Sequence, residues 1–134
     1  VVLDARLPAC EESLDHALSA AASLCVHLAR TCGCELLLPG EARPRTIGRA
    51  LEGWPALHAR LALVRAGTPT ASAARARGDR TVVYVTAAAA GARAAAYPCW
   101  RVGPHPLAGV VVGFDVAGCA GQLLDGGALT AAAA

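Results

Sequence analysis

The chain has no Lys, Met or Asn, all 12 of its basic residues are Arg, and aromatic side chains make up only 4% of its 134 positions. We read the missing residue types as the codon bias of a GC-rich bacterial genome and not as a functional choice. With so few aromatic rings, Leu, Val and Ala must fill the interior. Charge is also scarce, at 16% of residues and a net +2. A nucleic-acid binder concentrates its basic residues on one face, whereas these arginines are spread along the chain and interrupted by Glu and Asp. The tighter groups, Arg43/Arg45/Arg49 and Arg75/Arg77/Arg80, suit a solvated edge and the last turn of a helix. Nucleic acid is therefore not the expected partner. A membrane span needs roughly 20 apolar residues, and the stretch from Ala87 to Ala96 is shorter and broken by Gly91 and Arg93. No signal peptide is visible either, since Val1 opens directly into an apolar run.

What is present is a hydrophobic content of 55%, enough for one domain over residues 1–134 with a real core. The six cysteines, Cys10, Cys25, Cys32, Cys34, Cys99 and Cys119, are irregularly placed and mostly lie within apolar stretches. That pattern fits small buried hydrophobes kept reduced in the cytoplasm. Cys32-Gly33-Cys34 is the one close pair, and without a second pair or a His at zinc-finger spacing it is weak evidence for metal. The chain starts inside a strand and stops in Thr130-Ala131-Ala132-Ala133-Ala134, which reads as an unfinished helix, so an excised, truncated domain is expected.

Val1-Val2-Leu3-Asp4 reads as a buried strand ending in a carboxylate, at the position where open α/β sheets gather ligands. A helix follows, with Glu11 and Glu12 in its first turn and Leu14, Leu18, Ala21, Cys25 and Leu28 as its apolar stripe, stopped near Thr31 by Gly33. His16 and His27 fall on its polar side, about 16 Å apart, too far to share a metal. Glu35 to Leu38 is a second strand, and Arg43 to Ile47 a short one confined to an edge by Pro44. Trp54, Leu57, Leu61 and Val64 predict a helix that starts at Pro55 and ends near Gly67. His58 lies beside that stripe as a boundary or surface residue, with no second ligand at plausible spacing. Thr68-Pro69-Thr70 can cap a short helix through about Arg77. Thr81 to Val85 is a β-branched strand, followed by a helix at 88–96, a short strand at Cys99 to Val102, a proline-broken loop through Pro106, and a strand at Val110 to Phe114. Alternation of this kind predicts an α/β fold with a doubly wound, mostly parallel sheet flanked by helices in three layers, and the truncation leaves room for a missing last strand.

This order resembles a von Willebrand factor A domain, and more narrowly the degenerate version in the bacterial domain-of-unknown-function family 58. The resemblance rests on Val1-Val2-Leu3-Asp4, the helix from Ala17 to Leu24, the strand Leu36-Leu37-Leu38-Pro39-Gly40, the segment from Trp54 to Leu61, and the strand from Val82 to Thr86. Ordinary members hold Mg²⁺ or Mn²⁺ with an Asp-x-Ser-x-Ser turn, a Thr and a distant Asp, the oxygen donors a hard cation wants. Asp4 matches the first Asp and Thr68 the threonine. The serine positions carry Arg6 and Pro8, and the closing carboxylate position falls at Thr86-Ala87.

The resemblance therefore implies a degenerate adhesion site at Asp4, Arg6, Pro8, Thr68 and Ala87, with no metal and no cofactor. Arg6 could replace the cation by pairing with Asp4; equally, Asp4 could cap backbone amides of the turn while Arg6 points to solvent. The functional expectation is a non-enzymatic protein-interaction module working with a MoxR-type AAA+ ATPase, in the cytoplasm, in a protein whose membrane anchor lies outside this chain. The alternatives are a metal-dependent adhesion domain with a residual site and an enzyme built on Cys10, for which the sequence places no base or resolving partner, although His105 in Gly103-Pro104-His105-Pro106 is on a loop and could approach.

Overall fold

The computed structural model describes residues 1–70, 80–89 and 99–124. In chain order its elements are β1 (Val2–Asp4), α1 (Glu11–Cys32), β2 (Cys34–Leu36), β3 (Arg45–Ile47), α2 (Trp54–Leu61), β4 (Val83–Thr86), β5 (Cys99–Gly103), β6 (Val112–Val116) and β7 (Cys119–Leu124). The expected helices at 68–77 and 88–96 fall largely outside the described residues, as do Arg75, Arg77 and the terminal alanine run.

The chain is α/β with a mixed five-stranded sheet in the order β1-β4-β5-β7-β6. β1, β4 and β5 run parallel, and the β-branched run of β4, covered on both faces, suits a strand between two parallel neighbours. The second half departs from the mostly parallel sheet the sequence suggests, because β7 is antiparallel to β5 and β6 antiparallel to β7. The cause is local. Ala117 and Gly118 both take positive φ, 47° and 77°, the backbone of a tight hairpin turn, and a hairpin can only return antiparallel. The segment from Cys119 to Leu124, which carries no clear strand signal, thus fills the inner position of that hairpin. On the other side, β2 and β3 form an antiparallel ribbon joined to β1 by the parallel Val2–Leu37 bridge.

Register sorts the sheet into two unlike faces. Leu3, Val85 and Val102 align across β1, β4 and β5 and share a cluster with Ala17, Ala21 and Cys25 of α1. Side chains alternate along a strand, so Asp4, Tyr84, Thr86, Arg101 and Gln122 all lie on the opposite face. Asp4, Thr86, Arg101 and Gln122 are nevertheless buried. This domain therefore has an aliphatic layer on one side of its sheet and a buried polar layer on the other.

α1 runs one residue past its expected end and stops at Gly33, whose N–H bonds the Ala29 carbonyl. Its buried stripe is Leu14, Ala17, Ala21 and Cys25, with Ala20 and Ala29 beside it, while the expected Leu18 and Leu28 are only half-buried. Small side chains let the helix lie close to the strands, which shifts the contact face toward alanine. His16 is not on a free polar side, since its ring lies against the turn at Gly118. α2 ends at Leu61, short of Gly67. His58 is exposed and stacks on Trp54 with centroids 5.3 Å apart. Glu41, held by Arg45 and Arg60, ties α2 to the ribbon. Cys25, Cys34, Cys99 and Cys119 are buried, and Cys10 and Cys32 are exposed. Among the described residues no helix is long and apolar enough to cross a membrane.

Candidate functional site

β1 ends at Asp4, and the turn that follows folds over the end of β4. Ala87 donates its N–H to the Asp4 carbonyl at 3.3 Å, Ala9 donates to the Ala87 carbonyl at 3.2 Å, and Pro8 bridges Ala88. Leu7 takes a φ of 47° to make the turn, and its side chain is 81% exposed at the tip. The Asp4 carboxylate is fully engaged inside this turn. Arg6 donates its backbone N–H to Oδ1 at 3.0 Å, its Nε to the same oxygen at 2.9 Å and its Nη2 to Oδ2 at 3.1 Å. Tyr84, two residues upstream of Thr86 on the same face, donates its hydroxyl to Oδ2. Of the two readings left open by the sequence, the Asp4–Arg6 pair is the one that forms, with the Arg6 backbone amide as an added donor and without the Arg6 side chain turned away to solvent.

Burial alone would raise the Asp4 pKa. Hydrogen bonds from the Arg6 side chain, Tyr84 and the Arg6 backbone, with the Arg6 charge, outweigh it and hold the carboxyl below its ordinary value. Tyr84 moves the other way, its hydroxyl pushed up by burial and by the adjacent carboxylate. Arg6 is pushed up in turn, first by its hydrogen bond to Asp4.

The remaining positions separate. Ala87 is fully buried and joins the cluster only through its backbone. Thr68 is elsewhere: its hydroxyl donates to the Arg65 carbonyl at 3.1 Å, and it lines a cleft of about 280 Å³ with Leu38, Glu41 and Arg60. Thr70 is the threonine that reaches β1, donating to the Leu3 carbonyl at 2.8 Å. Sequence reasoning missed Tyr84. The available signal was its polar hydroxyl in an otherwise β-branched run, two positions before Thr86.

A second polar cluster sits at the start of α1. Cys10 is the residue preceding the helix, with extended backbone and no side-chain bond to the helix amides. Its Sγ lies 3.1 Å from the Ser13 Oγ, and that hydroxyl lies 2.9 Å from His105 Nε2. Ser13 is buried in the first turn of α1, and Cys10 is exposed. His105 is brought there by a loop anchored at two points. Arg101 Nη1 donates to the His105 carbonyl at 3.0 Å, close above Gly103, where a Cβ would sit 2.8 Å from the Thr86 carbonyl. Gln122 accepts the Leu107 N–H at 2.8 Å and donates to the Leu107 and Val110 carbonyls at 3.0 and 2.8 Å. Arg101 is 4% exposed, burial lowers its pKa, and its Nη2 has no hydrogen-bond partner among the described residues.

Taken as a metal centre, the first cluster does not fit. A hard divalent cation needs several free oxygens. Both Asp4 oxygens are occupied by donors, Arg6 brings a positive charge, and Thr68 points elsewhere. No grouping of three or more His, Cys, Asp or Glu suited to a metal occurs among the described residues. The fold and the site define an α/β domain with a locked carboxylate at the end of its first strand. No family model, no curated protein and no solved structure matches this chain.

Proposed function

We propose that this domain is a metal-free, von Willebrand factor A-like interaction module, of the kind found in the bacterial domain-of-unknown-function family 58. It docks a protein partner through the loops at the carboxyl end of the sheet and performs no catalysis of its own. The partner of choice is a MoxR-type AAA+ ATPase, which puts the domain in the cytoplasm, tethered by segments outside this chain.

One observation carries this reading: the Arg6 fork and the Tyr84 hydroxyl occupy the Asp4 carboxylate as a cation would. A metal in an adhesion site fixes loops and also supplies a coordination position to the partner. An Arg–carboxylate fork fixes loops equally well but offers no open position, so recognition passes to exposed side chains such as Leu7 at the turn tip. The strand order supports the same reading, with β1 flanked by β4 on one side and by the β2–β3 ribbon on the other.

The test is a binding titration between the whole chain and the ATPase encoded beside it, with and without nucleotide. Saturable binding that weakens at least tenfold in Leu7→Glu is expected. No binding in either nucleotide condition, by a chain shown to be folded, overturns the reading.

A further inference from the structure

We propose that the outer edge of β6 is a self-association surface, where a second copy of this chain adds its own β6 antiparallel and joins the two sheets across a two-fold axis.

The two sides of the sheet are finished differently. Beyond β1 the outermost strand is β3, and it carries the usual guards against strand addition. Pro44 stands immediately before it, and the exposed Arg43 and Arg45 flank its start. β6 ends the other side, and from Val110 to Val116 it has no Pro, no Lys or Arg, and a single charge at Asp115. Val111 and Val112 are 84% and 43% exposed. Among the described residues no strand pairs with this edge. Backbone donors and acceptors beside exposed valines are the condition under which one strand recruits another.

The occupant follows from the register. The turn at Ala117 and Gly118 has two residues, so Val116 and Cys119 form the hydrogen-bonded pair that closes the hairpin. The next pair, Asp115 with Ala120, is then of the non-hydrogen-bonded kind, and the Asp115 N–H and C=O point away from β7. Gly113 is skipped by the ladder, which passes from Val112–Gln122 to Phe114–Gly121, so its backbone groups are also left without a β7 partner. Free groups two residues apart are what an antiparallel neighbour needs. When that neighbour is another β6, a two-fold axis at Phe114 sets Asp115 of each copy opposite Gly113 of the other, and Val112 opposite Val116. Both Asp115–Gly113 pairs can exchange backbone bonds, each carboxylate faces a residue without a side chain, and valine meets valine at both ends. An axis at Asp115 would instead put two carboxylates opposite each other, which destabilises.

The same features limit the assembly to two chains. The bulge at Gly113 adds local twist, which opposes flat stacking, and a two-fold pairing consumes the open edge of each copy, so the dimer closes. One strand pair is small for an interface, and the dimer is expected to be a weak one. This edge is separate from the loops proposed above to hold a protein partner, and neither reading depends on the other.

The experiment is sedimentation equilibrium on the whole chain over a concentration series reaching about 1 mM, with amide hydrogen exchange measured at both ends of the series. A monomer–dimer equilibrium is expected, with exchange at Asp115 and Gly113 slowing severalfold at the high end while the Leu7 amide is unaffected. Val111→Lys and Val112→Lys restore the missing guard at exposed positions, and each is expected to weaken dimerisation at least tenfold; Leu7→Glu should leave it unchanged. A chain that stays monomeric at about 1 mM overturns the proposal and leaves the edge to a foreign strand. A dimer of unchanged strength in both folded valine variants overturns it too, since the contact is then on another face, as does growth beyond two chains.

Discussion

Asp4 shows how a residue can keep its position and change its task. Its carboxylate has one charged partner, one phenolic donor and one backbone donor, and the balance holds its pKa below the ordinary value. A carboxyl with a depressed folded pKa stabilises the native state above its unfolded pKa of about 3.9, and that contribution disappears as pH falls through the folded value. Stability is therefore expected to decline in acid below about pH 4 in part through Asp4. Tyr84→Phe removes one donor, so the Asp4 titration followed by carboxyl NMR should move upward, with a stability loss of about 2 kcal/mol. An Asp4 that titrates at the ordinary carboxylate value in the native chain would contradict the geometry. Arg6 is 39% exposed, so solvent screening limits what its charge alone contributes.

At the scale of elements, the patterns that could be read were those with a period. α1 was legible from its apolar spacing and Gly33, and β4 from its β-branched run, because propensity and burial agree there. β7 was not. Cys119-Ala120-Gly121-Gln122 has small residues and a polar one where a strand signal wants branched side chains, and Gln122 is buried because it serves the 107–110 loop. The carboxylate site was legible as a strand end followed by an arginine. Tyr84 was not, since it depends on strand register; His105 was readable as a loop residue able to approach Cys10, but the Ser13 hydroxyl that joins them, a contact spanning 92 positions, was not. The hairpin offers a direct check. Ala117 occupies a left-handed conformation that costs an alanine roughly 1 kcal/mol, and Asn-Gly is the favoured pair for such turns. Ala117→Asn should raise stability by about 1 kcal/mol in denaturant melts; a loss would mean the turn is held by something other than its backbone.

For the whole molecule, the mixed sheet places two unlike clusters at the same end. One is a closed ion pair, the other an accessible thiol backed by a hydroxyl and an imidazole. The closed cluster has no vacancy for a cation, so neither millimolar Mg²⁺ nor EDTA should shift the melting temperature. A rise on adding Mg²⁺, lost in Asp4→Asn, would show that the Arg6 fork opens to admit a metal.

The two clusters also differ in how the chain must come together to make them. Asp4 and Arg6 are two residues apart, so their pairing needs little more than a turn. Ser13 meets His105 across 92 positions, and the loop that carries His105 is gripped from β7, the last described strand. A contact of such long range forms only after much of the chain is ordered. During synthesis, and after any loss of β7, Ser13 has no His105 to meet; the polar cluster at the start of α1 is a property of the closed hairpin.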